Sequence, residues 1–279
     1  MFNEKSYDYV KNQLLYLGFG EEIAQPLQQK IEQGLTEFTL PHTRKFGQDE
    51  TQSTLYFSKG DQKDMTFFNR FDVTLKQSGK DDLTQSFFVG KEYNYTLQER
   101  YNMMDGRFAY REQPKVAPKE VEGEVKMVPT GETYFGWKGL NFKESDKHGN
   151  FLPKTMFWNH EKELVKYPVK ELAEPYDHKR LLASLEKGNK ANATIIKDGQ
   201  EIKGTIAANP RMQRFDFYDG TGQSLIVKQV ERKKLAPSEN LEKGQQQGQE
   251  PDNKQAQKSE VAAEQKNNKA RTKKQSAHI

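Results

Sequence analysis

Hydrophobic residues near the start of the chain recur every three or four positions. Val10, Leu14 and Leu17 follow this spacing, which is typical of one helix face, and Gly18 stands where a left-handed C-cap would end the helix. The same spacing recurs over residues 21–33. The sequence therefore predicts that the chain begins with a helical hairpin.

The hydrophobic period changes to two after residue 37. Leu55 and Phe57, and later Phe71, Val73 and Leu75, alternate with polar residues, as in strands that have one buried face. Polar turn sequences that contain glycine separate these runs. We therefore predict that residues 1–95 combine the helical hairpin with an antiparallel meander.

A second module is predicted over residues 96–160. Thr96 and Glu99 have the spacing of a capping box, which predicts a helix over residues 96–104. Residues 113–130 contain three prolines and a run of Lys, Glu and Val, and this composition predicts an exposed insertion rather than a packed element.

The third module, residues 161–230, has the clearest pattern. A helix is predicted to end at Gly188, and four short strands follow. Asp198-Gly199 is a strong hairpin signal because both central residues of a type I′ turn need positive φ. The module is therefore predicted to be one helix followed by a four-stranded meander.

In the last hairpin the strand around residues 214–218 has two distinct faces. Phe215 and Phe217 alternate with polar neighbours, so they are predicted to face the core. Arg214 and Tyr218 are then predicted to point outward, with Asp216 between them limiting the attraction for anions.

The predicted fold class is α+β, because helical periods precede runs of period two and no alternating βαβ pattern occurs. The chain is divided into two or three small helix-plus-antiparallel-sheet modules. Residues 30–34 and 184–188 share a helix-end pattern ahead of each terminal meander. This similarity indicates either a degenerate repeat or a coincidence.

Charge separates this body from the end of the chain. Residues 229–279 carry 11 of the 44 Lys and Arg residues but only 7 of the 40 Asp and Glu residues, so the rest of the chain is neutral. Residues 231–279 are rich in Gln, Asn and Lys and contain almost no large apolar residues. They are predicted to form a disordered basic tail, since such a composition cannot bury enough surface to fold.

Several functional classes are excluded or disfavoured by composition. The chain has no cysteine, which excludes disulfides, thiolate nucleophiles and cysteine-based metal sites. No basic segment followed by an apolar one opens the chain, and no stretch approaches 18 apolar residues. We expect a cytoplasmic protein without membrane contact.

No catalytic, metal or phosphate-cradle motif is present, so we expect no cofactor and no enzymatic activity. The five histidines are scattered without a metal-ligand spacing. An enzyme is the third hypothesis, and it would need a site assembled from distant residues. The candidates for such a site are His160, His178, Glu186 and Asp216.

Aromatic and basic residues interleave in three segments, a pattern that suits base stacking and phosphate contact. Phe68 and Arg70 are predicted to share one exposed strand face. Ordinary amphipathic strands would show the same pattern, and solubilising tails are also basic. The candidate contact residues for nucleic acid or a partner are Phe68, Arg70, Arg107, Arg211, Arg214, Tyr218, Arg232, Lys233, Lys234, Arg271, Lys273 and Lys274.

Six short stretches run in order across residues 8–230: Tyr16-Leu17-Gly18-Phe19-Gly20, Asp64-Met65-Thr66-Phe67-Phe68-Asn69-Arg70, Tyr101-Asn102-Met103-Met104-Asp105-Gly106-Arg107, Lys166-Tyr167-Pro168-Val169-Lys170-Glu171-Leu172, Ser184-Leu185-Glu186-Lys187-Gly188-Asn189 and Ala208-Asn209-Pro210. Together they resemble uncharacterised proteins of conjugative transposons and related mobile elements of Bacteroidetes, which contain a domain of unknown function. Residues 113–130 are longer here than in that family. The resemblance implies a link to DNA transfer or maintenance by association, and no catalytic residues.

Two further hypotheses follow. The first is a non-enzymatic accessory or binding module of a mobile element that contacts DNA, RNA or another mobile-element protein. The alternative is a protein–protein interaction scaffold without a nucleic-acid role, in which Phe68, Tyr218 and Trp137 or Trp158 anchor the partner. Salt distinguishes them, because apolar docking survives ionic strength that abolishes phosphate contact.

Overall fold

Helices and antiparallel sheets alternate in blocks along the chain. The structure, a computed structural model, describes residues 2–60, 64–121 and 123–230. These residues form five α-helices and three antiparallel sheets, so the predicted α+β class is confirmed. The predicted disordered tail, 231–279, lies outside the described residues, together with Arg232, Lys233, Lys234, Arg271, Lys273 and Lys274.

The first block contains both predicted N-terminal helices. Asn3 caps the first helix, because its side chain accepts a hydrogen bond from the Ser6 amide, and Gly18 ends it with a φ of 86°. Four strands follow as a meander, in the sheet order β1-β2-β3-β4. The elements are α1 (Glu4–Leu17), α2 (Ala24–Glu32), β1 (Glu37–Phe46), β2 (Asp49–Lys59), β3 (Thr66–Lys76) and β4 (Leu83–Phe88).

The middle block begins with the predicted capping box, in which the Thr96 and Glu99 side chains each bond the other residue's backbone. Three strands then form a sheet in the order β5-β6-β7. The elements are α3 (Leu97–Met104), β5 (Ala109–Val121), β6 (Glu124–Ser145) and β7 (Phe151–Met156).

Residues 113–130 are mostly exposed, as predicted, although Gln113 is buried, and they are not irregular. They belong to a ribbon in which β5 pairs with β6 as far as Val121 and Glu124. Among the described residues β7 pairs with β6 only over 137–145, so the outer ribbon has free edges on both sides. Prolines fit at such edges because no ladder hydrogen bond is lost there.

The third block has the predicted helix and four strands, in the sheet order β11-β10-β9-β8. Asp198 and Gly199 have φ values of 52° and 77°, as the predicted type I′ hairpin requires. One short helix, α4, was not predicted. The elements are α4 (His160–Leu164), a 3₁₀ turn (Lys170–Leu172), α5 (Pro175–Glu186), β8 (Ala191–Lys197), β9 (Gln200–Asn209), β10 (Arg214–Asp219) and β11 (Ser224–Leu225).

Two hydrophobic cores lie within residues 2–230, and β5 and β6 contribute to both. Ala109 and Leu140 belong to the core beneath the first sheet and α3. Phe108 and Trp137 belong to the core of the third block.

The domain limits and the degenerate repeat stay predictions. Of the helices described, none combines the length and apolar character that crossing a bilayer requires.

Candidate nucleic-acid interface

A polar cleft of about 280 Å³ lies where the loop after α3 meets β9 and β10. It brings together three of the predicted contact residues, from two segments that are about 100 residues apart in sequence, and it adds Lys190 as a third cation. The charged and aromatic residues that line it are Asp105, Arg107, Phe108, Lys190, Arg211, Asp216 and Tyr218.

Strand alternation in β10 orients one wall of the cleft. Phe215 and Phe217 are buried in the core, with 3% and 2% of their surface exposed. Arg214 and Tyr218 point the other way, toward solvent, so the predicted assignment of the two faces is confirmed.

A glycine permits the close approach that fixes Arg107. Gly188 ends α5 with a φ of 79°, and a Cβ atom there would lie 2.6 Å from the carbonyl oxygen of Phe108. At this contact Arg107 Nη1 donates a hydrogen bond of 2.8 Å to the Gly188 carbonyl oxygen. Asn102 strengthens the same junction, since its Nδ2 donates to the Lys187 carbonyl oxygen at 2.7 Å.

Arg107 is largely committed to this junction. Its Nε and Nη2 atoms each lie 3.0 Å from Asp105 Oδ2, and its side chain is 14% exposed. The guanidinium also lies 5.3 Å from the ring centre of Tyr101. Arg107 therefore supplies positive potential to the cleft and shapes its floor, while other side chains offer the accessible donors.

Arg211 and Lys190 are the accessible cations. Arg211 is exposed; its Nη2 donates one long hydrogen bond of 3.3 Å to the Leu140 carbonyl, and its guanidinium lies 5.1 Å from the ring centre of Phe108. Lys190 is exposed, and its Nζ lies 5.3 Å from the ring centre of Tyr218. Both side chains retain N–H groups that can donate hydrogen bonds to an incoming phosphate.

The two carboxylates of the cleft already have partners. Asp216 accepts from Arg214 Nε at 3.0 Å and from Asn209 Nδ2 at 2.7 Å. Burial, and next the negative charge of Asp216, raise the pKa of Tyr218, so its hydroxyl stays a proton donor at neutral pH. The cleft thus offers cations, a phenol and a half-buried ring to an anionic ligand.

Phe68 and Arg70 do not form the exposed face that was predicted. Phe68 is only 3% exposed and packs in the first core. A bulge places Asn69 out of register opposite Tyr56 and Phe57, so the strand alternation is interrupted and Phe68 faces inward. Arg70 lies apart from the cleft, on β3, where its guanidinium stacks 4.0 Å from the ring centre of Tyr56.

The residues predicted to anchor a partner protein, and those predicted as enzyme candidates, do not come together at one site. Trp137 is fully buried, so it is not available to anchor a partner, and Trp158 is half-buried. Among the enzyme candidates, His160 and Glu186 do meet, with Nε2 and Oε1 3.0 Å apart. Asp216 lies in the polar cleft instead.

Sequence reasoning missed Lys190. It directly follows Gly188-Asn189 and has no aromatic neighbour in the sequence, so the interleaving of rings and basic residues did not mark it. Its relation to Tyr218 arises because β8 and β10 lie on either side of β9.

No protein-family model, curated protein or solved structure matches this chain. The resemblance to mobile-element proteins therefore stays a prediction, and the case for function rests on the geometry of the cleft.

Proposed function

We propose that this protein is a non-enzymatic binding module that holds a phosphate of single-stranded nucleic acid in the cleft between Arg211 and Lys190. The supporting observation is the convergence on one cleft of Arg107, of Lys190, and of Arg211 and Tyr218 from the β9–β10 hairpin, which are three separate segments of the chain. By the resemblance described above, such a module would serve a mobile genetic element.

The shape of the cleft favours a single strand over a duplex. A concave site next to the half-buried ring of Tyr218 can take a phosphate and stack an unpaired base, whereas a duplex keeps its base faces covered. Few cations take part, so binding by the cleft is weak and moderately salt-dependent. Two or three phosphate contacts give a log–log salt slope of about −1.4 to −2 for a single strand.

The test is a fluorescence-anisotropy titration of a labelled single-stranded oligonucleotide at several salt concentrations. We expect Arg211→Ala and Lys190→Ala each to weaken binding about 3- to 10-fold and to lower the magnitude of the salt slope by about 0.7. Lys197→Ala is the control, because it removes one exposed cation from the far end of β8.

Tail cations such as Lys233 and Lys273 are present in every variant, so they add to the overall slope without altering the difference between variants. A duplex of the same sequence serves as the competing ligand. Equal affinity of Arg211→Ala, Lys190→Ala and the unaltered protein would contradict the proposal.

A protein-interaction role has one separate observation in its favour. The outer ribbon exposes Val116, Val125 and Met127, with 49%, 75% and 60% of their surface accessible, and the strand register places all three on one face. Binding of a partner there would persist at high salt. A pull-down at 0.1 M and about 1 M salt with Met127→Lys tests it, and recovery that is unchanged in the variant would contradict this role.

A further inference from the structure

A second cluster of reactive side chains lies beside Tyr110 of β5 and Trp137 of β6, where α4 begins and α5 ends. It consists of His160, Glu161 and Glu186, whose ligand atoms all lie within 4.8 Å of one another. Within it, His160 Nε2 lies 3.0 Å from Glu186 Oε1. The last turn of α5 thus presents its carboxylate to the first turn of α4.

The imidazole is held in place before any ligand arrives. His160 is only 2% exposed, and its ring centre lies 4.4 Å from that of Tyr110, 4.9 Å from that of Trp137 and 6.1 Å from that of Trp158. Asn159 caps α4, because its side chain accepts a hydrogen bond from the Lys162 amide at 3.0 Å. Since aromatic rings enclose the imidazole, its Nε2 is directed to the carboxylates.

The carboxylates lack a cationic partner of their own. Within residues 2–60, 64–121 and 123–230, Glu186 forms an ion pair only with His160, and Glu161 forms none. Burial raises the pKa of the Tyr110 hydroxyl, and the charges of Glu186 and Glu161 raise it further. Negative potential therefore accumulates at the edge of an otherwise aromatic pocket.

One buried donor at the same place also lacks a partner. Trp137 is fully buried, and its Nε1 has no hydrogen-bond partner among the described residues. Its ring meets that of His160 edge to face, at an interplanar angle of 83°. A buried indole N–H without a partner costs free energy, and a water or anion brought in by a bound ion can satisfy it.

We propose that His160, Glu161 and Glu186 bind one divalent transition-metal ion of the zinc or nickel class. One imidazole nitrogen and two carboxylate oxygens are donors that these ions accept, at roughly 2.0–2.2 Å, and three protein ligands leave a position open for water. Mg²⁺ and Ca²⁺ are disfavoured because they prefer six or more oxygen ligands. The site is independent of the polar cleft on β9 and β10.

Binding has a defined proton balance. A metal ion on Nε2 replaces the hydrogen bond between that nitrogen and Glu186, and a neutral imidazole then carries its one proton on Nδ1, so the proton is moved and not lost.

The chain contains its own reporter for this site. Its two tryptophans, Trp137 and Trp158, both pack against His160. Titration of the EDTA-treated full-length protein with Ni²⁺ is expected to quench tryptophan fluorescence saturably, with a stoichiometry of one. Added Zn²⁺ is expected to compete, and EDTA is expected to restore the signal.

Glu161→Gln is the decisive variant, because Glu161 is exposed and makes no ion pair within the described residues. We expect it to weaken Ni²⁺ quenching at least 10-fold, whereas Glu120→Gln on the outer ribbon leaves it unchanged. Should Glu161→Gln fail to fold, as judged by circular dichroism, Glu186→Gln supplies the same test. Absence of saturable quenching in the unaltered protein, or unchanged affinity in a folded variant of the cluster, would overturn the proposal.

Discussion

The two faces of the β5–β6 sheet lie in surroundings of opposite charge, although the residues that form them are neighbours in sequence. Tyr110 and Trp137 face the side where Glu161 and Glu186 gather around one imidazole. Their chain neighbours Arg111 and Lys138 face the other side, toward α3. Because side chains alternate along a strand, a shift of one residue separates an excess of carboxylates from an excess of cations.

The α3 side gathers three cations around one buried carboxylate. Arg100 lies 4.4 Å and 4.8 Å from the ring centres of Phe87 and Tyr95, and its Nε has no hydrogen-bond partner among the described residues. Glu99, only 2% exposed, forms an ion pair with Arg111, in which Oε1 lies 3.3 Å from Nε. Burial lowers the pKa of Arg100 to about 10.

The largest expected effect tests the aromatic pocket of the α4 side. Trp137→Ala should lower the free energy of unfolding by about 3–5 kcal/mol, because this fully buried ring contacts Tyr110, Trp158 and His160. Phe135→Ala is the matched control on the same strand face, since Phe135 is 57% exposed and should cost less than about 1 kcal/mol. Urea denaturation measures both, and equal costs would contradict the distinction.

The next prediction removes one carboxylate from each side. Glu99→Gln should cost about 3 kcal/mol, because it leaves Arg111 without its buried partner and weakens the cap of α3. Glu186→Gln should cost less than about 1 kcal/mol in EDTA, because glutamine still accepts from His160 and one of two close carboxylates is gone. Thermal denaturation of both variants measures the two costs. A larger cost for Glu186→Gln than for Glu99→Gln would mean that the excess of positive and of negative charge is assigned to the wrong sides.

The pH dependence of stability sharpens the picture of the α3 side. Burial raises the pKa of Tyr95 well above its usual value, so the folded protein retains this proton above pH 10 while the unfolded chain loses it. Stability should therefore be fully present below pH 10 and fall by up to about 1.4 kcal/mol per pH unit above it. Tyr101 acts in the same direction and Arg100 in the opposite one.

Tyr95→Phe isolates that contribution. Urea midpoints at pH 8 and pH 11 should decline less in this variant than in the unaltered protein. At pH 8 the variant should be at least as stable, because the Tyr95 hydroxyl is buried without a partner in the described part of the chain. An equal decline in both proteins would show that Tyr95 ionises as an exposed phenol does.

The smallest effect is expected from Lys138→Met. Burial, and next the charge of Arg100, lower the pKa of Lys138, because its ammonium adds to the excess of positive charge on the α3 side and loses solvation there. Methionine keeps the aliphatic volume without the charge, and stability at pH 7 should rise by at most about 1 kcal/mol. A decrease in the free energy of unfolding by more than about 1 kcal/mol would contradict this and would indicate that the Lys138 ammonium balances a negative group.

Much of the fold could be predicted because the local signals agree with the final packing. The spacing of Val10, Leu14 and Leu17, the capping box at Thr96 and the Asp198-Gly199 turn each fix one element by short-range physics. The bulge at Asn69 has no such signal, since one extra residue reverses the faces of a strand without changing its composition. The short α4 was missed because five residues show no hydrophobic period.

The candidate sites could be predicted only in part. Interleaved rings and cations marked Arg107, Arg211 and Tyr218, but long-range packing alone places them around one cleft. His160 and Glu186 were both named from the sequence, yet they are 26 residues apart and no spacing rule joins them. Their contact depends on how α4 and α5 pack, which the local pattern does not determine.

The strands shared by the two cores have a consequence for unfolding. β5 and β6 place Ala109 and Leu140 in one core, and they pack Tyr110 and Trp137 in the other. Disorder in either core therefore disturbs strands that the other core packs against. Neither core is then stable by itself, and the body is expected to unfold in one cooperative transition. Tryptophan fluorescence, which reports one core, and far-ultraviolet circular dichroism, which reports both, should give coincident denaturation curves.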